Sequence, residues 1–403
     1  MQSGKAAMQA ALALGRPARV PCAPHWWGSY KYEALGLDVR LAPWQDGAAL
    51  APVYAGFYER FRPDWLHLHI GTPRYFRDAE VSEPEGLGGD AVLRIDPHFR
   101  GLKKLDRYFA SESGADERIV DFPDYLLGSR AERPRVDLGS RRSVEEYARR
   151  YLAMEAALVR ELGYADHVEA LAARFGQEAL IAVHLPSAVC ELFDPITGWA
   201  GFERGLIALR EQPEGMRRLL ELGYELQLEW ARAYAQAGAH AFVISESYIS
   251  PDIAGPRVYP DFLKGIHREY FAEIARMGLA PILDFWGDAL PLLEDFAQIG
   301  AAALMVEESK KTFTLDIREI RERLDGRICL FGNLDSLGLL REGSPEEVRA
   351  EVRRQAEGAG GGFVVANGSP LALGTPEANV RALSEAAQGL PARSRADEAG
   401  GKR

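Results

Sequence analysis

Cysteine is scarce in this sequence. Cys22, Cys190 and Cys329 are its three thiols, far apart and odd in number. They provide neither a disulfide framework nor a site built from cysteine alone, and they suit a reducing cytoplasm. Long apolar runs are missing too: no stretch of about 18 apolar residues occurs, so no membrane-spanning helix is expected. Basic charge is in deficit, 48 Lys and Arg against 59 Asp and Glu. The net −11 argues against nucleic acid or an anionic membrane surface as the main partner. Nor is there a Gly-x-Gly-x-x-Gly run or a phosphate-binding loop to support an open dinucleotide-binding sheet.

What is present is core material. Apolar residues make up 47% of the 403, enough to exclude wholesale disorder. A chain of this length holds two ordinary domains or one large α/β barrel. The opening "MQSGKAAMQAALALGRPARVP" reads as an amphipathic helix stopped by Gly15 and Pro17 rather than as a signal peptide. The polar tail, 391–403, reads as loose.

Beyond residue 140 short apolar runs alternate with long helical periods. The runs are 179–186, 241–247, 280–286, 302–309, 328–333 and 362–367. Helix starts are signalled between them, most clearly by Ser344, Pro345 and Glu347, a capping box, and again by Thr375 and Pro376. Two further strand candidates lie upstream, "ARVPCAP" (18–24) and "DWLHLHIG" (64–71). Eight strands with helices between most of them predict a single (β/α)8 barrel over 1–390. The stretch from about 72 to 143 fits neither strand nor helix and reads as a long insertion after the second strand, capping the mouth.

In such a barrel the chemistry lies at the C-terminal ends of the strands. The first predicted strand leads into "HWWGSYKY", with His25, Trp26, Trp27 and Tyr30; the second carries His67 and His69, two apart on one face; the third carries His184. The next three end in acids: Glu246 with Tyr248, Asp284 with Trp286, and Glu307 with Glu308. The last two end in Asn333 and in Asn367 followed by Ser369. If Glu246, Asp284 and Glu307 converge, either a cation joins them or one carboxyl keeps its proton; the first supplies Lewis acidity and the second a general acid. Simpler roles stay open. A strand-end acid often caps a helix or pairs with lysine, and buried histidines can be satisfied by the backbone. Ser369 has no Ser-His-Asp arrangement. The aromatics would form a ligand wall.

Several segments resemble the uroporphyrinogen decarboxylase superfamily, which includes corrinoid-dependent methyltransferases. "GNLDS" (332–336) is similar to its Gly-Asn-Leu/Val-Asp-Pro motif. "REGSPEEVRAEV" and "GTPEANVRAL" resemble its closing helices, "ISPDIAGPRVYPDFLKGI" the segment after its fourth strand, and "GRPARVP" the approach to its first. The resemblance implies the same barrel. It also implies residues that are missing here. "PHWWGSY" replaces the decarboxylase's Arg-Gln-Ala-Gly-Arg, its aspartate falls near His69, and its histidine falls on Ser369. The zinc methyltransferases' His-x-Cys pair becomes Asp284 and Trp286, and their last cysteine becomes Ser369.

The function implied is transfer of a methyl group from a small donor, such as a methoxylated aromatic or a methylated cation, to cobalamin carried by a partner corrinoid protein. Zinc would be held by Glu246, Asp284 and Glu307 with His67 or His69, an oxygen-rich set of the kind some relatives that demethylate aryl ethers use. Asp284 and Glu307 would be ligands or acid, Glu246 third ligand or base, and Asn333 and Asn367 orienting groups. The implied assembly is a homodimer. Two competing readings are a decarboxylase or lyase acting on a small or tetrapyrrole-like acid, and a barrel that has lost catalysis and only binds.

Overall fold

The computed structural model describes residues 2–26, 28–37, 47–71, 74, 80–82, 91–94, 109–110, 136–149, 156–193 and 201–392. In chain order its strands are β1 (Trp65–Leu68), β2 (Glu80–Ser82), β3 (Ala91–Arg94), β4 (Phe109–Ala110), β5 (Leu180–Pro186), β6 (Ala241–Glu246), β7 (Ala280–Phe285), β8 (Ala303–Val306), β9 (Cys329–Phe331) and β10 (Phe363–Val364). Seven of them form one parallel sheet in the order β1-β5-β6-β7-β8-β9-β10. Each apolar run expected as a strand from 64 onward lies in this sheet. Parallel strands are covered on both faces, which is why they read as nearly unbroken apolar runs.

The first expected strand differs. Over 18–24 the chain makes one bridge, Cys22 to Val365. Pro21 and Pro24 flank the bridge, and a proline has no N–H to give a ladder. The segment still runs between the two edges of the sheet. Ala23 N donates to Val365 O at 2.8 Å on one side, and Asp64 N donates to Cys22 O at 2.8 Å on the other. Asp64 fixes this seam, accepting from Cys22 N at 2.8 Å and from both terminal nitrogens of Arg19 at 2.6 and 2.5 Å. The sheet is strongly curled: the rings of Trp65 on β1 and Phe331 on β9 meet at 5.6 Å, although five strands separate β1 from the far edge.

The helices behave as their sequences require. Residues Gly4–Leu12 form the amphipathic opening helix, with Ser3 capping it. The capping box of Ser344 and Glu347 opens Pro345–Ala359. The last helix starts later than expected, at Glu377, because the Thr375 hydroxyl turns back to donate to Ala372 O at 2.7 Å instead of capping. Within the expected insertion, the described residues include a small antiparallel sheet, β2-β3-β4, and the helix Arg141–Tyr147. How the insertion meets the mouth lies outside the described residues, as do Trp27 and the tail beyond 392. No helix among the described residues is long and apolar enough to cross a membrane.

Candidate functional site

Strand register decides which side chains meet. Ser245 pairs with Asp284 across β6 and β7, and Asp284 pairs with Met305 on β8, two residues before Glu307. His184 lies two residues before Pro186, the partner of Ser245. Alternation along the strands puts His67, His184, Ser245 and Asp284 on the inner face of the curl. There the rings of His25, His67 and His184 cluster with centroids 4.9–5.5 Å apart. One nitrogen from each lies within 4.8 Å of the other two.

Each imidazole is oriented from behind. His67 Nδ1 faces Trp26 O at 3.2 Å and His25 Nδ1 faces Gly368 O at 3.3 Å. A carbonyl only accepts, so both rings carry the proton on Nδ1 and leave a lone pair on Nε2. His67 Nε2 is 2.7 Å from His184 Nδ1, and His184 Nε2 contacts the Ser245 hydroxyl. Ser245 in turn donates to Asp284 Oδ2 at 2.8 Å. Burial holds the His25 imidazole down at about 4 and pushes those of His67, His69 and His184 well below the ordinary 6.5. The three clustered rings are therefore neutral at pH 7, the form that ligates metal.

Burial has the opposite effect on Asp284. Its carboxyl, 1% exposed, is pushed up to about 7 against the opposing hydrogen bonds from Trp286 Nε1, at 2.8 Å, and Ser245. These bonds are what the acid at the end of the apolar run 282–288 faces, and they explain the tryptophan beside it. Gly287 completes the turn with φ of 104°, where a Cβ would meet the Ser250 side chain at 2.4 Å. Its N–H donates to Glu307 Oε2 at 2.8 Å.

Glu307 stands on the inner side but is already engaged. Lys310 Nζ reaches its Oε1 at 3.0 Å and also pairs with Glu308. Burial raises the Glu307 carboxyl, with Lys310 opposing. Glu308 accepts from Ser369 N at 2.5 Å and Ser369 Oγ at 2.7 Å, so Ser369 is a brace of this carboxylate. Asn333 and Asn367 brace loops. Asn333 Nδ2 donates to Glu307 O at 3.2 Å and Leu315 O at 3.0 Å. Asn367 accepts from His25 N at 2.9 Å and donates to His25 O at 2.7 Å, fixing the loop that presents His25.

The structure separates Glu246 from the acids expected to join it. It lies one residue past Ser245, on the opposite face, between sheet and helices. There it is fully buried against the Tyr224 hydroxyl and His267 Nε2, the latter at 3.0 Å. The three acids therefore do not converge as expected: Glu246 is turned away, while Asp284 and Glu307 stand on the inner side, each held by donors. Two of the expected wall aromatics are core instead. Trp26 donates from Nε1 to His67 O at 3.3 Å and packs on Phe57, and Tyr30 donates to Thr375 O at 3.2 Å. Tyr248 takes a left-handed φ of 67° and sets its ring 5.9 Å from Phe202. Trp286 remains beside the cluster, 6.2 Å from the His25 ring. His69 sits against the cluster, its ring 4.7 Å from that of His67, but is not one of the three donors. Ser245 and Lys310 escape sequence reading. His184 is visible as a strand histidine, and its signal is the shared spacing that puts it on the face of Asp284.

A family model described as Uroporphyrinogen decarboxylase (URO-D) matches residues 163–390. The chain belongs to the uroporphyrinogen decarboxylase family. Its curated relatives include a Methylcobamide:CoM methyltransferase MtaA of Methanosarcina barkeri (strain Fusaro / DSM 804), 30% identical over 41% of this chain and 46% of the relative. A Uroporphyrinogen decarboxylase of Ralstonia nicotianae is 30% identical over 43% of this chain and 48% of its own length. The chain thus spans about half the length of the curated relatives it matches. The solved structure of a methyltransferase from Methanosarcina mazei shares the fold, with a TM-score of 0.63 over 96% of this chain and 98% of that one at 20% identity.

Proposed function

We propose that this family member transfers a methyl group from a small methylated donor to a corrinoid carried by a partner protein, using a divalent metal such as zinc held by His25, His67 and His184. The observation that carries the reading is the cluster of three buried, neutral imidazoles on the inner face of the curled parallel sheet. The residues fit such an ion. Two lone pairs are set by carbonyls behind the rings, and three protein ligands with an open position are the usual form of a catalytic zinc site. When bound, the ion would supply Lewis acidity toward the donor's leaving atom.

The chain's own residues do the rest. Asp284, with its carboxyl near 7, holds a proton that the leaving atom takes as its bond to methyl breaks. Trp286 walls the space beside His25 and keeps Asp284 in place through its indole N–H. Lys310 pairs with both Glu307 and Glu308 and offsets one of their two charges. The name of the MtaA relative, which states a methylated cobamide as reactant, supports the corrinoid. A (β/α)8 barrel closed at 20–24 and a homodimer belong to the same proposal.

The test is metal analysis of protein purified without chelator or nickel, paired with methyl transfer to cob(I)alamin from aryl methyl ethers and methylated amines. About one metal per chain, lost in His67→Ala and His184→Ala, with transfer from either donor class, is expected. Metal-free protein inactive with both classes refutes the proposal. A second reading, proton-transfer chemistry on a small acid, is favoured by the Asp284 carboxyl and the Lys310 cation. It requires turnover without corrinoid.

A further inference from the structure

We infer that Ser245 is a positioning residue that turns His184 into a metal ligand by relaying the Asp284 carboxyl to its far nitrogen. The inference rests on the three-histidine site proposed above. His25 and His67 have their distal nitrogens set by main-chain carbonyls, Gly368 O at 3.3 Å and Trp26 O at 3.2 Å. Those acceptors allow one tautomer only. His184 is different: its Nε2 meets a hydroxyl, that of Ser245, which can either give or take a proton.

What Ser245 does is decided by Asp284. The direct His184 Nε2 to Asp284 Oδ2 separation is 3.7 Å, too long for a hydrogen bond, while Ser245 spans the gap at 2.8 Å from Asp284. Asp284 Oδ2 accepts from both Trp286 Nε1 and the Ser245 hydroxyl, so a proton held by the carboxyl sits on Oδ1 and the hydroxyl donates to Oδ2 in either state; its oxygen can then only accept, and His184 must present Nε2–H to it. The lone pair then falls on Nδ1, the atom 2.7 Å from His67 Nε2. Without the relay nothing opposes the other tautomer, in which His184 Nδ1–H donates to His67 Nε2 and two of the three donors occupy each other. Groups behind a ligating histidine that fix its tautomer are typically worth about 10–100-fold in metal affinity.

The experiment is zinc affinity by competition with a chromophoric chelator, with the cobalt(II) visible spectrum as a second readout. The proteins are wild type, Ser245→Ala, Ser245→Thr, Asp284→Asn, the Ser245→Ala/Asp284→Asn double variant, and His67→Ala. Ser245→Ala is expected to weaken zinc about 10–100-fold and to alter the cobalt spectrum. Ser245→Thr, which keeps the hydroxyl, is expected to stay near wild type. The double variant is expected to be no weaker than the worse single variant, because both act through one chain of bonds. Thermal unfolding of each chelated protein separates misfolding from lost affinity, and Ser245→Thr against Asp284→Asn repeats the comparison if Ser245→Ala is unstable. Wild-type affinity in Ser245→Ala, with zinc lost in His67→Ala, overturns the inference and leaves the site standing. Additive losses in the double variant also overturn it. Wild-type protein that takes up no metal overturns both.

Discussion

Asp284 and Lys310 show how single side chains are held by what faces them. The Asp284 carboxyl rises from 3.8 to about 7 on folding because burial penalises its charge. A group raised on folding stabilises most below its unfolded value and loses that contribution as pH climbs through its folded value. In chelator-treated protein, the stability of wild type relative to Asp284→Asn should therefore fall from about pH 4 to about pH 7 and level off above it. Urea unfolding across that range checks the slope, and a flat difference refutes it. Lys310 is a half-exposed cation beside two acids, one of them, Glu308, 4% exposed. Lys310→Met should cost about 1–2 kcal/mol, since Glu308 keeps its Ser369 bonds and solvent screens part of the pair. A urea midpoint unchanged from wild type would show that Ser369 alone satisfies the carboxylate.

On the scale of strands, one residue of register separates two acids that look alike in the sequence. Glu246 and Asp284 both end apolar runs, yet Ser245, not Glu246, pairs with Asp284. A strand buried on both faces has no polar alternation to reveal its facing, so the sequence could place both acids at strand ends but could not say which looked inward. Glu246→Ala should destabilise by about 3 kcal/mol or more, by stranding His267 and opening a cavity, while leaving zinc uptake unchanged. Metal analysis beside urea unfolding separates the two effects; loss of metal in a folded variant would return Glu246 to the site. The aromatics of 25–32 misled for a related reason. Trp26 and Tyr30 carry polar tips that find carbonyls inside the core, so density of rings at a strand end does not distinguish a wall from packing. The seam at Asp64 makes a further expectation. Asp64→Ala removes the acceptor of Arg19 and of Cys22 N together and should cost about 2–4 kcal/mol, read by thermal unfolding.

Across the whole molecule, the alternation of apolar run and helix was readable from 64 onward because burial on both faces leaves strands no choice of composition. The first strand was not, because prolines reduce it to one bridge. The histidines add a global pH dependence. Burial lowers His25, His67, His69, His167 and His184 from 6.5, those of His25 and His167 to about 4. Groups depressed on folding stabilise above their unfolded value and lose that contribution as pH falls, so the chelated protein should weaken steeply between about pH 6.5 and about pH 4. Five histidines outweigh the three carboxyls that burial raises, those of Asp284, Glu246 and Glu307. Urea midpoints that stay constant on acidification would contradict these environments.

The loop holding His25 is tied to Asn367 and Gly368, near the other end of the chain. During synthesis, then, the first imidazole leaves the ribosome long before the groups that aim it. Pairing of β1 with β5 can bring His67 and His184 together, but until the last strand has emerged His25 lacks the groups that aim it at them. If the proposed site holds its ion, a product cut short before Asn367 should not sequester metal at this place, and uptake would report that synthesis and folding have reached Gly368.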